Sequence, residues 1–406
     1  MNRRLLVTVL LGFSSGLPLA LSGGTLQAWL ADVDIDIRAI GFVSLLGLPY
    51  TLKFIWSPLM DRFVPPYLGR RRGWLLITQC LLIVLIVLIG MLSPHKQLNL
   101  ILLLAFCLAF VSASQDIGVD AYRTDLLAAH ERGMGAALAV GGYRLALLGT
   151  GAGALIIAGE IGWQMTYWCM ASLLSIGLLG TLLGPQPEQP GVPPPTLRAA
   201  VVEPFQEFLQ RRSALLLLLL IVLYKFGDAF AGTLTIAFLI QGLGFTTTEV
   251  GMVGKGFGLA ATILGALLGG ILMVRLSLFR ALMGFGLLQA VTNLVFAWLA
   301  LAGKQYWGMV AAVGLENLAG GMGTAAFVAL LMALCDHRYT ATQFALLSAL
   351  SAVGRVLVGP PAGEMVHWFG WAPFFGVTFL LALPGLVLLW YLRSVLPANH
   401  GAEPSS

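Results

Sequence analysis

Ionisable residues recur at helical spacing between Ser112 and Asp125, at the end of a long apolar run. Ser112, Asp116, Asp120 and Arg123 fall on one face of a helix, because residues three, four and seven apart lie on the same side. Charges at membrane depth cost about 3 kcal/mol even by the lower scales, so they usually line a wet cavity and mark an ion or substrate path. The alternative is that Asp120, Arg123 and Asp125 lie in the cytoplasmic interface, where charges are ordinary.

The composition places that face inside a membrane protein. Of the 406 residues, 58% are hydrophobic and only 10% are charged, which excludes a soluble domain. The net charge of +5 comes from basic residues scattered between apolar runs, so a nucleic-acid partner is not expected. The four cysteines lack metal-ligand or disulfide spacing, so the sequence predicts neither a metal site nor another cofactor.

Apolar runs of about 20 residues predict an all-α integral membrane protein with twelve transmembrane helices. The predicted spans, numbered one to twelve, are 5–30, 38–58, 73–92, 98–120, 134–158, 162–183, 213–240, 249–272, 280–302, 306–332, 341–366 and 370–393. With the N-terminus inside, fifteen of the 23 Lys and Arg residues fall on the cytoplasmic side and three on the other. This bias predicts that both termini are cytoplasmic.

A proline-rich linker, residues 184–212, separates six spans in residues 1–183 from six in residues 213–406. Its second half has the spacing of a short amphipathic helix, and a simple tether is the alternative.

The two halves also resemble each other. The segment 59–62 (Leu-Met-Asp-Arg) matches 272–275 (Leu-Met-Val-Arg), and Arg144 in span five matches Arg355 in span eleven, with offsets of 213 and 211 residues. Two six-helix halves in the same orientation are a known plan of transporters, with the site at the interface of the halves near mid-membrane.

The loop after span two carries Asp61-Arg62 followed by Gly69-Arg70-Arg71-Arg72. With twelve spans and a central linker, this pattern resembles the signature of the major facilitator superfamily and implies its fold. The sequence departs from the signature at Ser57-Pro58, where a glycine is expected, and in a longer insert before Gly69. The latch that the superfamily forms here is therefore expected to be altered.

Six further motifs, in the same order, resemble those of the AmpG muropeptide permease family. They are Gly16–Ala20, Thr25–Trp29, Phe54–Arg62, Ser112–Ile117, Tyr224–Phe230 and Glu316–Thr324. The resemblance implies proton-driven import of N-acetylglucosamine–anhydro-N-acetylmuramic acid peptides across the inner membrane of Gram-negative bacteria, for cell-wall recycling. The expected partners are this substrate, protons and the lipid bilayer, and the expected state is a monomer.

Proton coupling requires an acid that exchanges its proton near neutral pH, which an apolar environment or a nearby like charge favours. Asp116, the deepest acid of its face, is the first candidate, with Asp120 as its electrostatic neighbour and competitor for Arg123. Glu316 in span ten is the second candidate, next to Asn317. The alternative for Glu316 is a protonated acid that ties two helices together.

An anionic glycopeptide needs cations, amides and hydroxyls. Lys225 and Asp228 share a face in span seven, either as partners that exchange when substrate binds or as a permanent structural pair. The guanidinium groups of Arg144 and Arg355 suit carboxylates, although matching places also suit a structural role. The candidates for sugar and amide contacts, each of which could instead be packing glue, are Gln27, Gln115, Tyr143, Asn317 and Gln343.

Five charged residues are candidate gating groups: Lys53, Asp61, Arg62, Arg123 and Lys255. The two lysines lie within spans two and eight, and the alternative for them is that they snorkel to the interface. Glycine clusters at 149–153, 265–270 and 320–323 predict close helix packing. Prolines 18, 49, 360, 361 and 384 mark predicted kinks.

Two other functions are possible from the residues. A membrane prenyltransferase would use Asp116, Asp120 and Asp125 for magnesium pyrophosphate, but such enzymes need closely spaced pairs in two motifs and no second cluster exists here. The nearer alternative is a superfamily proton symporter for another peptide, sugar or siderophore. The sequence therefore predicts a carrier and not an enzyme.

Overall fold

A computed structural model describes residues 3–57, 60, 63–127, 132–186, 209–210, 213–334 and 340–395. All regular secondary structure in these residues is helical. Ten helical segments are long and apolar enough to cross a membrane: Arg3–Asp32, Gly69–Gly90, Pro94–Arg123, Leu138–Ile161, Trp163–Leu183, Ala214–Gly242, Thr247–Met273, Leu278–Ala302, Tyr306–Ala333 and Trp371–Ser394. A helix satisfies its own backbone hydrogen bonds, which a bilayer cannot do.

The other two predicted spans are broken helices. Span two consists of Ile37–Phe42, Leu48–Leu52 and two short 3₁₀ turns, Val43–Gly47 and Lys53–Ile55. Span eleven consists of Thr340–Leu357 and Gly359–Phe369. Proline lies in the first turn of Leu48–Leu52 and of Gly359–Phe369, where its missing N–H costs nothing, and a helix that continued through it would lose a hydrogen bond.

Several of the long spans are also interrupted. Span one breaks at Gly23 into Arg3–Ser22 and Gly24–Asp32. Span seven breaks at Lys225 into Ala214–Tyr224 and Phe226–Ala237. Span four, by contrast, is the helix Pro94–Leu126. Segments of π-helix occur in spans five, seven and eight, at Gly149–Gly153, Phe238–Gly242 and Gly251–Phe257. Such bulges widen a helix locally and are frequent at functional sites.

The described residues form two compact units. The first comprises those in Met1–Asp36, Leu45–Pro193 and Phe245–Lys255, and the second those in Ile37–Ser44, Pro194–Gly244 and Gly256–Ser406. Two short segments are thus grouped with the half of the chain to which they do not belong in sequence. The first unit has a buried cluster that includes Leu11, Leu75 and Tyr122, and the second a larger one that includes Leu220, Phe285 and Leu330.

Glycines bring spans eight and ten of the second unit into backbone contact. A side chain added at Gly265 would collide with the carbonyl oxygen of Leu318, and one added at Gly321 would collide with that of Thr262. Membrane helices associate largely through close packing, so small residues at such crossings stabilise the pair. This pair holds Glu316 and Asn317 in place against span eight.

Gly265→Ala should therefore destabilise the protein, because the added methyl group meets backbone that cannot move aside. Overpacking typically costs about 1–3 kcal/mol. Gly270→Ala is the matched control, since nothing lies within 4 Å of its added carbon. Thermal unfolding in detergent should show a lower Tm for Gly265→Ala and an unchanged or slightly higher Tm for Gly270→Ala. Equal Tm values for the two variants would contradict this packing.

Candidate functional sites

In the first unit, Asp116 has two compensating contacts from other helices. The Ser15 hydroxyl of span one donates a hydrogen bond to its Oδ1. The Lys53 ammonium lies 4.0 Å from its Oδ2, and the Asp116 side chain is 16% exposed. Asp116 is thus a partly exposed acid beside a hydroxyl donor and a loosely held amine.

The other acids of the same helix have different surroundings. Asp120 is 58% exposed and accepts a hydrogen bond from Arg123 at 3.2 Å. Asp125 is almost buried and pairs with Arg71 of span three at 2.8 Å. Arg123 therefore pairs with Asp120, while Lys53, considered above as a gating residue, is the cation beside Asp116. Asp125 fastens span four to span three.

Several residues predicted to contact sugars or amides are buried in helix packing. Gln115 is fully buried and donates to the backbone oxygen and the hydroxyl of Ser14, at 3.0 and 3.2 Å. Gln27 and Gln343 are also buried. The role of these three amides as sugar or amide contacts stays a prediction. Tyr143 is half-buried.

In the second unit, polar side chains of spans seven, ten and eleven line a cavity of about 430 Å³. Its charged lining residues are Lys225, Asp228, Glu316 and Arg355. Thr233, Thr324, Ser348 and Ser351 contribute hydroxyls. The cavity thus offers two cations, two carboxylates and several neutral hydrogen-bonding groups, which suits a charged, hydroxyl-rich ligand better than an apolar one.

Lys225 lies at the break between the two helices of span seven. Its ammonium is 3.5 Å from Asp228 Oδ2 and donates to the Thr324 hydroxyl at 3.2 Å. The Lys225 side chain is 11% exposed and that of Asp228 is 28% exposed. The pair predicted from their spacing is present, at a distance longer than a close ion pair, and it faces the cavity.

Asn317 makes contacts that fix it in place. Its amide nitrogen donates to Glu316 Oε2 at 2.7 Å and to the Val313 carbonyl at 2.9 Å, and its oxygen accepts from Thr262 at 2.9 Å. All its hydrogen-bonding groups have partners, so Asn317 joins spans eight and ten and orients Glu316 toward the cavity. Its predicted role as a substrate contact stays a prediction.

The two matched arginines are exposed. Arg355 lines the cavity with Ser348 and Ser351, which precede it by seven and four residues on the same helix face. Sequence reasoning missed these serines, although their spacing before an arginine was the available signal. Arg144 forms no ion pair within the part of the chain that the structure describes.

Of the other candidate gating residues, Asp61 and Arg62 lie outside the described residues. Lys255 is in the π-helix Gly251–Phe257, and its side-chain carbons pass about 3.6 Å from the point where Gly151 would carry a side chain. A larger residue at Gly151 would crowd this lysine.

Apolar membrane helices that carry partly exposed charged groups in each of the two units have the architecture of a carrier. The family model of the Major Facilitator Superfamily matches residues 8–357. The anhydromuropeptide permease of Escherichia coli K12 is 56% identical over 96% of this chain and 80% of the E. coli protein. AmpG 4 of Rickettsia felis is 35% identical, over 96% of each chain.

Solved structures have the same fold at low sequence identity. A bacterial homologue of the human lysosomal transporter Spinster has a TM-score of 0.74 at 15% identity, covering 97% of this chain and 96% of that one. A D-xylose–proton symporter has a TM-score of 0.69 at 13% identity, covering 99% and 98%.

The chain therefore belongs to the major facilitator superfamily and, within it, to the family of AmpG permeases. The predicted fold class is confirmed. The prenyltransferase interpretation is rejected, because the family and its relatives are transporters.

The Lys225–Asp228 pair gives a prediction that separates binding from folding. Breaking a buried pair typically costs about 3–5 kcal/mol, and the partial exposure of Asp228 places this pair at or below the lower end. Lys225→Met and Asp228→Leu should each lower the Tm, and the double variant should recover it, because no charge is left unpaired.

If Lys225 also binds substrate, the double variant should fold but fail to bind and transport. Measuring Tm and substrate binding on the same purified preparations separates the two roles. Recovery of full transport in the double variant would contradict a binding role and leave only a structural pair.

Proposed function

We propose that this protein imports anhydromuropeptides into the cytoplasm across the bacterial inner membrane, driven by the proton gradient and working by alternating access. The observation that carries the proposal is the 56% identity to the E. coli anhydromuropeptide permease over 96% of this chain. Both termini are cytoplasmic in this proposal, as the distribution of Lys and Arg predicts. The carrier acts as a monomer.

The cavity of the second unit supports an anionic glycopeptide as substrate. Lys225 and Arg355 provide cations for a carboxylate, and the hydroxyls of Thr324, Ser348 and Ser351 provide partners for sugar or amide groups. A cavity of about 430 Å³ accommodates one part of such a molecule. We assign it to a carboxylate-bearing part of the substrate.

Binding and ion-pair exchange are coupled in this proposal. A substrate carboxylate that approaches Lys225 competes with Asp228, whose contact at 3.5 Å is loose. Asp228 is then left to water or to a donor on the substrate. The exchange gives the carrier a different set of charge contacts when it is loaded, which a substrate-dependent movement requires.

We assign the proton to Asp116. The Ser15 hydroxyl and the Lys53 ammonium stabilise its charged form, while the surrounding apolar helices favour its neutral form. When Asp116 binds a proton, Lys53 loses its counter-charge and is released to move. Glu316, which accepts from Asn317 at 2.7 Å, is the second candidate.

Uptake of labelled anhydromuropeptide tests the function. Proteoliposomes with an imposed pH gradient should accumulate it, and an uncoupler should abolish the accumulation. Unlabelled anhydromuropeptide should compete, whereas simple hexoses at the same concentration should not. Uptake of a labelled unrelated peptide, sugar or siderophore, with no uptake of anhydromuropeptide, would contradict the proposal and identify a different substrate.

Asp116→Asn separates movement of substrate from its accumulation. Asn keeps nearly the same shape but cannot titrate, so gradient-driven accumulation should be lost while downhill exchange is retained. Asp120→Asn is the matched control, because it removes an exposed acid from the same helix, and it should remain able to accumulate substrate. Full accumulation by Asp116→Asn at normal protein levels would contradict the assignment and favour Glu316.

A further inference from the structure

Four fully buried polar side chains lie at the interfaces of spans one, three, four and six in the first unit. They are Ser14, Gln79, Gln115 and Thr181. Only Gln115 was considered from the sequence, and none of the other three has a role in the sites described above. Burial of a polar group costs free energy unless it is hydrogen-bonded, so their partners decide what they do.

Hydrogen bonds and close approach connect the four side chains in series. The Thr181 hydroxyl donates to Gln79 Oε1 at 2.8 Å, and Gln115 Nε2 donates to the Ser14 hydroxyl at 3.2 Å. Gly177 separates these two pairs. A side chain added there would lie 3.0 Å from Gln79 Nε2 and would also collide with the Ser14 hydroxyl. Because Gly177 has no side chain, Ser14 and Gln79 pack against its backbone and the two pairs approach each other there.

Part of this buried polar surface has no protein partner. Gln79 Nε2 and Gln115 Oε1 are both buried without a hydrogen bond to any described residue. Leaving a buried donor or acceptor unsatisfied costs about 1–3 kcal/mol. Internal water is the usual partner of such groups, and it needs two to four polar neighbours, which this cluster provides.

The series has two distinct ends. At one end the Ser15 hydroxyl donates a hydrogen bond to Asp116. Ser14 directly precedes Ser15 in the chain, and Gln115 directly precedes Asp116. Asp116 lies ten residues before the end of its helix at Leu126, or about 15 Å along the axis. At the other end Arg72 donates to the carbonyls of Thr181 and Leu182, at 2.9 and 3.0 Å, and the second of these bonds is exposed.

We propose that this series is a water-bearing path by which the proton of Asp116 exchanges with the cytoplasmic end of the first unit. The inference rests on the proposed function, because it takes Asp116 as the proton carrier. Water and the hydroxyls pass the proton along by donating on one side and accepting on the other. The amides of Gln79 and Gln115 hold the water in place, since an amide does not itself relay a proton.

Charged groups at the two ends bound the path. Lys53 and Asp120 lie near Asp116, Asp120 on its own helix, while Arg72 lies at the far end. The guanidinium of Arg72 caps the C-terminal carbonyls of span six, which carry the negative end of the helix dipole. This contact holds the guanidinium at the end of span six.

The alternative is that these side chains only hold the helices together. A packing role predicts that their removal weakens the fold and slows every mode of transport equally. A path predicts a selective loss, because exchange of substrate across the membrane needs no net proton movement, whereas gradient-driven uptake does.

Two variants interrupt the path by different means. Gln79→Met removes the amide with little change of volume, and Gly177→Ala forces the Ser14 side chain out of its place beside Gln79. Gly180→Ala is the matched control in the same helix, because its added carbon meets only the apolar side chains of Leu10 and Leu11. Ser112→Ala is a second control, because Ser112 lies one turn before Asp116, on the side away from the Leu126 end of the helix.

Proteoliposomes allow exchange and gradient-driven uptake of labelled anhydromuropeptide to be measured on the same preparation. Gln79→Met and Gly177→Ala should slow gradient-driven uptake by about tenfold, equivalent to about 1.4 kcal/mol on the barrier, with exchange nearly unchanged. Ser112→Ala and Gly180→Ala should resemble the wild type in both modes.

Equal slowing of both modes, or wild-type behaviour of every variant that folds, would overturn the path. Asp116→Asn is measured in parallel to distinguish this result from failure of the proposed function. If Asp116→Asn loses accumulation while the path variants keep it, Asp116 carries the proton but by another route. If Asp116→Asn also accumulates substrate fully, the proton assignment fails together with the path that depends on it.

Discussion

The free-energy cost of placing a charge among apolar helices governs the interior of this protein. Asp116 has Ser15 and Lys53 beside it, Asp125 has Arg71, and Lys225 has Asp228 and Thr324. The partners come from other helices in most of these contacts, so each contact also sets how helices pack. An unpaired charge would destabilise the fold, because the bilayer interior offers no water to solvate it.

These charge contacts are not all of one kind. Arg71 and Asp125 lie 2.8 Å apart and are mostly buried, which suits a permanent fastening. The contacts of Lys53 with Asp116 and of Lys225 with Asp228 are longer, at 4.0 and 3.5 Å, and the side chains are partly exposed. A carrier needs contacts that a proton or a substrate can replace, and the looser pairs meet that need at lower cost.

Local patterns in the sequence were enough to predict the spans and the contacts within one helix. Apolar runs of sufficient length give the twelve helical regions, and a separation of three residues gives the pair of Lys225 and Asp228. The contact of Asp116 with Lys53 could not be predicted, because it joins residues far apart in sequence whose approach depends on how the helices pack. For the same reason the sequence could not predict that Gln115 is buried against Ser14. The breaks in spans two and eleven coincide with prolines that the sequence marked. The sequence did not predict how far each break extends.

The movement of protons that accompanies substrate transport, with no pH gradient imposed, tests the role of Asp116 most directly. Purified protein in vesicles containing a pH-sensitive dye is given anhydromuropeptide on one side only, so that substrate runs downhill. The wild type should acidify the compartment that substrate enters, because each transport cycle brings a proton with it. Asp116→Asn should pass substrate without acidification. Acidification by Asp116→Asn at the wild-type ratio of protons to substrate would contradict the central claim.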